Sequence, residues 1–136
     1  NQAGIARKKV EPKALEEIHQ KMTKKLAEEG IHVLKIYVSP HHWDENSFMR
    51  KPAPGMFFQA AKDFNLRMDR TLYVGDDKRD CIAASNAGCG MVYLSNVNEI
   101  ESQIGEKLPE IFFQGKTLLD KTAEIKACYS FWEESE

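Results

Sequence analysis

The segment Thr71-Leu72-Tyr73-Val74-Gly75-Asp76-Asp77-Lys78-Arg79-Asp80 constrains this chain more than any other. Its apolar start, with β-branched and aromatic members, predicts a strand covered on both faces, and Gly75 lets the backbone turn where the carboxylates begin. Asp76, Asp77 and Asp80 then emerge at the strand's carboxyl end. In parallel α/β sheets ligands bind at that end, and clustered carboxylates are the hard oxygen donors that a magnesium ion requires. The same acids also suit a solvated loop ahead of a helix with a positive N-terminus, so the cluster by itself leaves both readings open.

A second feature favours the first reading. Arg50-Lys51-Pro52-Ala53-Pro54-Gly55 precedes an amphipathic segment that places Phe57, Ala60, Ala61 and Phe64 on one face. A residue before proline is pushed out of the helical region, so Lys51 is expected to sit extended at a loop end with its amine free to reach across. A lysine beside a metal-binding carboxylate is the pairing that phosphoryl chemistry uses.

With 136 residues, of which 42% are apolar, the chain has the material for one globular domain over 1–136 with a sizeable core. A net charge of -2 and a pI near 6.1 supply no general attraction for nucleic acid or for anionic lipid. No apolar stretch approaches the roughly 18 residues that span a bilayer, and no signal-peptide pattern opens the chain, so a soluble cytoplasmic protein is expected. Cys81, Cys89 and Cys128 are scattered, without metal spacing, and read as free packed thiols.

Helical and strand patterns alternate along the chain. Glu11 to Glu29 carries Leu15, Ile18, Met22 and Leu26 at helical spacing, with Pro12 in the first turn. A strand is predicted over Ile31 to Val38, a polar loop over Ser39 to Lys51, a helix over Pro54 to Phe64 and a strand over Thr71 to Val74. There follow a helix over Lys78 to Ala87 closed by Gly88, a strand over Met91 to Leu94, a helix near Asn98 to Glu106, a short strand over Glu110 to Phe113 and a helix from about Lys116. In the acidic tail from Tyr129, Phe131 and Trp132 are expected to dock on the domain, with a partner surface as the alternative. Such alternation implies a Rossmann-like three-layer α/β sandwich with a mainly parallel sheet.

Three runs, Asn1-Gln2-Ala3-Gly4-Ile5-Ala6-Arg7, Arg50-Lys51-Pro52-Ala53-Pro54-Gly55-Met56 and Val74-Gly75-Asp76-Asp77 with Asp80, occur in that order. Together they resemble the haloacid dehalogenase superfamily of phosphatases, in the subfamily IIIA branch that holds heptose bisphosphate and histidinol phosphatases. The resemblance implies a Mg²⁺-dependent phosphomonoesterase acting on a small phosphorylated metabolite such as a sugar phosphate or bisphosphate. By the same resemblance, Asn1 and Gln2 match substrate-phosphate contacts, as does Arg50. Lys51 matches the lysine that neutralises the transferring phosphoryl group, Asp76 a magnesium ligand, and Asp80 an acid supporting the metal site. Asp77 is a second candidate ligand whose role stays open. Without a cation the three carboxylates are expected to repel one another, one of them holding a proton.

Two departures from the family pattern bear on function. The family forms an aspartyl-phosphate on an Asp-x-Asp motif at the end of its first strand. No Asp-x-Asp occurs here, and the chain opens at Asn1 without a methionine. An N-terminal piece bearing the central strand is therefore expected to be missing, with the gap filled by that piece, a partner chain or a swapped copy. The branch's structural zinc uses Cys-x-His and Cys-x-Cys, whereas the matching positions read Ser39-Pro40-His41 and Ser47-Phe48-Met49, so no structural zinc is expected. His41 and His42 suit substrate contact or a solvated loop, and Trp43 and Phe48 a lid or a loop anchor. A nucleophile-lacking pseudophosphatase and an interaction module, each inactive as it stands, are the alternatives to the enzyme.

Overall fold

The structure, a computed structural model, describes residues 11–38, 48–96 and 108–135. It divides into two compact units, Asn1–Arg50 and Lys51–Glu136.

In the first unit, Pro12–Glu28 forms helix α1. Proline at the start costs nothing there, because its missing N–H would have no intrahelical partner. The C-terminus is closed by backbone bonds from Glu29, Gly30 and Ile31 back to Leu26 and Ala27. The apolar face expected from Leu15, Ile18, Met22 and Leu26 is only partly covered: Leu15 is buried, while Ile18 and Met22 are 59% and 41% exposed. The covered stripe runs instead through Leu15, His19, Thr23 and Leu26, and the Thr23 hydroxyl donates back to the His19 carbonyl at 2.9 Å. The strand expected over Ile31 to Val38 does not form: these residues are irregular chain. A strand exists only as part of a hydrogen-bonded ladder, and no ladder includes this segment among the described residues, whatever its β-branched content.

The second unit carries the sheet. Its elements are helix α2 (Gly55–Phe64), a 3₁₀ turn (Met68–Arg70), strand β1 (Leu72–Gly75), helix α3 (Lys78–Ala87) and strand β2 (Gly90–Leu94). Strand β3 (Phe112–Gly115), a second 3₁₀ turn (Leu119–Lys121) and helix α4 (Thr122–Glu134) complete it. The strands lie in the order β1-β2-β3. Both pairings are parallel, with Val74 opposite Val92 and Val92 opposite Phe113. All three strand ends therefore point the same way, and the turn after Gly75 opens at the carboxyl edge of the sheet. This is the α/β architecture that the alternating pattern implies.

Helix α3 packs on β1 and β2. Its sheet-facing side is made of small residues, Cys81, Ala84 and Ala87, which join Cys89, Met91 and Tyr93 in the core, with Phe57, Met68, Tyr73, Leu108 and Phe112 packed around them. Small side chains bring the helix axis close to the strands and enclose Met91 on that face, and Val92, pointing to the opposite face of the sheet, is fully enclosed as well. Each such side chain contributes about 1.5–3 kcal/mol through the apolar surface it removes from water. The helix ends at Gly88, whose φ of 80° is the left-handed conformation that L side chains avoid.

Two elements begin later than the sequence predicts. Strand β3 starts at Phe112 rather than Glu110. Helix α4 starts at Thr122 rather than near Lys116, because Thr117 and Asp120 cap each other reciprocally through Thr117 N to Asp120 Oδ2 (3.0 Å) and Asp120 N to Thr117 Oγ1 (3.3 Å). That exchange sets the preceding 3₁₀ turn. Of the two aromatics expected to dock, Trp132 does: it is 8% exposed, meets Tyr129 edge-on at 5.0 Å, and its carbonyl accepts from Arg70 at 2.9 Å. Phe131 does not, being 67% exposed, since adjacent helical residues point about 100° apart and only one of the two is turned inward. The helix expected near Asn98 to Glu106 lies outside the described residues.

Candidate active site

Lys51, Tyr73, Asp76, Asp77 and Asp80 come together where β1 gives way to α3. Lys51 enters from the loop ahead of α2, in a cis peptide with Pro52. The loop is tied to the helix by Asn86, whose amide donates to the Pro52 carbonyl at 3.2 Å.

Asp80 is the centre of the arrangement and is 2% exposed. Its Oδ2 accepts from the backbone amides of Asp76 and Asp77, both at 3.1 Å. Its Oδ1 accepts from the Lys51 ammonium and, at 3.0 Å, from the Tyr73 hydroxyl. A buried carboxylate is stable only when its charge and lone pairs are matched, and here four donors, one of them the Lys51 cation, match them. The turn is built around it: a Cβ on Gly75 would stand 2.6 Å from Asp80 Cγ, so only glycine lets the carboxylate seat beneath the loop.

The Lys51 ammonium also donates to the Tyr73 hydroxyl at 3.1 Å. Sequence reasoning expects an amine free to reach across. The observed one is already engaged by two protein oxygens. Burial alone pushes this ammonium toward the neutral form, but the hydrogen bonds to Asp80 and Tyr73 outweigh it and hold its pKa above the ordinary value of 10.5. The lysine therefore stands as a fixed positive charge at the strand end. Tyr73 itself is pushed up, mainly by burial, and its ring meets Phe57 edge-on at 4.7 Å.

Asp77 is the N-cap of α3 and forms a capping box with Asp80. Its Oδ1 accepts from Arg79 N at 2.8 Å and Arg79 Nε at 3.0 Å, and its Oδ2 from Arg79 Nη2 at 3.0 Å. The Arg79 hydrogen bond holds its carboxyl below the usual range. The repulsion expected among the three acids is thus relieved by protein groups: Arg79 faces Asp77, and Lys51 faces Asp80. Asp76 differs from both. It is exposed, and among the described residues no hydrogen bond or ion pair engages its carboxylate. A hard, open oxygen donor at the mouth of a parallel sheet fits a Mg²⁺ ligand. Among the described residues no three acidic, histidine or cysteine side chains gather into a complete metal site.

The other sequence candidates are placed less fully. Arg50, half-buried, ends the first unit. Asn1, Gln2, His41, His42 and Trp43 lie outside the described residues, and Phe48 is 58% exposed. Tyr73 is the site residue that sequence reasoning passes over, reading it as strand filling. The available signal is its polar end, since a tyrosine buried in a strand brings a hydroxyl that needs a partner.

Residues 48–103 match the HAD-hydrolase-like family model. The D-glycero-β-D-manno-heptose-1,7-bisphosphate 7-phosphatase of Pseudomonas aeruginosa is 31% identical over 125 residues, covering 92% of this chain and 67% of that protein. The chain belongs to the HAD-like hydrolases.

The enzymes of the same name from Bordetella bronchiseptica and Vibrio cholerae are 38% and 34% identical over 112 and 118 residues, 81% and 82% of this chain. The chain spans 62% and 63% of their lengths. Among HAD-like structures, the D,D-heptose 1,7-bisphosphate phosphatase of B. bronchiseptica, complexed with magnesium and phosphate, superposes with a TM-score of 0.75 at 30% identity. It covers 98% of this chain and 72% of its own. A putative HAD-like phosphatase from Mesorhizobium loti, at 24% identity and a TM-score of 0.68 over 94% of this chain and 62% of its own, shares the fold.

Proposed function

We propose that this chain is the phosphate-handling part of a Mg²⁺-dependent phosphomonoester hydrolase acting on a small sugar phosphate or bisphosphate. One observation carries the reading: the Lys51 ammonium, held by buried Asp80 and Tyr73, stands at the carboxyl end of β1 on the same Asp80 carboxylate that accepts the backbone amide of exposed Asp76. The names of the related enzymes support a heptose bisphosphate-like substrate.

A phosphoryl group in transfer spreads negative charge over its oxygens, so catalysis is chiefly positioning and preorganised positive charge. Lys51 supplies such charge without reorganising, because Asp80 and Tyr73 already hold it. Asp76 would hold Mg²⁺, which when bound adds a second positive charge against the phosphoryl oxygens. Asp77 stays with the helix cap in this reading, since ligating a metal would cost α3 its Arg79 contacts. Asn1, Gln2 and Arg50 are the proposed contacts to substrate phosphate. No Asp-x-Asp occurs among these 136 residues, so none of them is assigned as the phosphoryl acceptor.

That same feature favours a second reading, a chain that binds phosphate and Mg²⁺ without turnover. An assay of the native protein separates the two. With Mg²⁺ and p-nitrophenyl phosphate or a heptose bisphosphate, Asp76→Asn is expected to lower the rate by about 100-fold or more, the scale of removing one preorganised electrostatic group. Equal rates for native and variant overturn the role of Asp76. Phosphate binding without any hydrolysis supports the second reading. Among the described residues no helix is long and apolar enough to cross a membrane, and a cytoplasmic setting is proposed with the function.

A further inference from the structure

We infer that Tyr73 is a positioning residue for Lys51: its hydroxyl fixes the ammonium so that one N–H is left to point at an anionic oxygen arriving at the sheet edge. The inference deepens the phosphate-handling reading and rests on it.

An ammonium has three donors on a freely turning axis. One donates to Asp80 Oδ1 and one to the Tyr73 hydroxyl at 3.1 Å. With Asp80 alone the group would spin about a single bond. Two acceptors in different directions stop the rotation and define where the third proton lies. The hydroxyl is itself held, because its own proton goes to Asp80 Oδ1 at 3.0 Å. Lys51, Tyr73 and Asp80 thus close a triangle in which the phenol both accepts and donates, which no apolar residue can do. The phenol ring is fixed in turn by its edge-on contact with Phe57 and by the register of β1, where Tyr73 lies opposite Met91. A donor oriented before the ligand arrives adds affinity, because the cost of orienting it is already met by folding.

Tyr73→Phe keeps the ring and its packing and removes only the hydroxyl, and the Lys51–Asp80 pair still holds the loop, so the variant is expected to fold. In ¹⁵N-labelled native protein, the lysine ammonium signal that disappears in Lys51→Arg identifies Lys51. Its protons are expected to exchange with water about fivefold faster in Tyr73→Phe, the effect of losing one ordinary hydrogen bond. Inorganic phosphate added to native protein is expected to shift that signal, and its affinity to fall by a similar, about fivefold, factor in the variant. Unchanged exchange in Tyr73→Phe overturns the inference. So does faster exchange with unchanged phosphate affinity, which would leave the hydroxyl a purely structural part. Phosphate that leaves the native Lys51 signal unmoved overturns the phosphate reading of the pocket instead, while the exchange rate still judges what Tyr73 does to the ammonium.

Discussion

Asp80 serves two purposes at once. It accepts the two loop amides that shape the turn and neutralises the part-buried Lys51 ammonium, with 2% of its surface in contact with water. Removing it leaves Lys51 buried without its counter-charge and two amides without acceptors. Asp80→Ala is therefore expected to cost about 3 kcal/mol, the low end for breaking a buried ion pair because Lys51 retains some solvent. The measurement is urea unfolding of native and variant protein, and a loss under about 1 kcal/mol would mean that water replaces the carboxylate. That Asp80 matters is legible in the sequence from its spacing after Gly75. That it acts by saturating its oxygens with protein donors, rather than by leaving them open to a metal, is not, because the distinction depends on where Lys51 and Tyr73 return in space. Those two lie 22 positions apart in the chain, and no local pattern links them.

At the level of elements, α3 shows how much a short motif can decide. Asp77 and Asp80 stand at N-cap and N3, reciprocally bonded, and Gly88 ends the helix in a left-handed turn. Its limits are read from sequence without error, since cap, small-residue face and terminator all agree. Asp77→Ala is expected to cost about 1 kcal/mol at neutral pH. The native pKa of Asp77 is depressed, so its contribution is fully present above its ordinary value of 3.8 and is lost as the pH falls through the lower native value. The gap between native and variant unfolding midpoints should accordingly close below pH 3.8. A gap that widens in acid contradicts the cap. The segment 31–38 makes the opposite case. Its β-branched residues signal a strand, but strand formation needs a neighbour, and a propensity contains no information about one. The late start of α4 has a local cause, the Thr117–Asp120 exchange, which competes with the helical pattern beginning at Lys116.

For the whole molecule, the three thiols report how evenly the second unit is closed. All are free. Burial pushes Cys81 and Cys89 up to about 11 and also raises Cys128. Cys81, on the inner face of α3, and Cys89, just after it, are sealed in the core, whereas Cys128 on α4 is half-buried. At mildly alkaline pH an aromatic disulfide reagent is expected to modify Cys128 first and the other two only on unfolding. Three thiols reacting at one fast rate would show that α3 does not stay on the sheet. The parallel order of the strands was legible from the alternation of patterns, and so was the edge at which the acids emerge. The capping box has a consequence for that edge. Because the carboxylate that steadies the lysine also holds the two amides of the turn ahead of α3, a pull on the ammonium from outside is transmitted to the backbone at Asp76 and Asp77. The solvent exchange of those two amides becomes a gauge of the pocket, readable in a protein that turns over nothing.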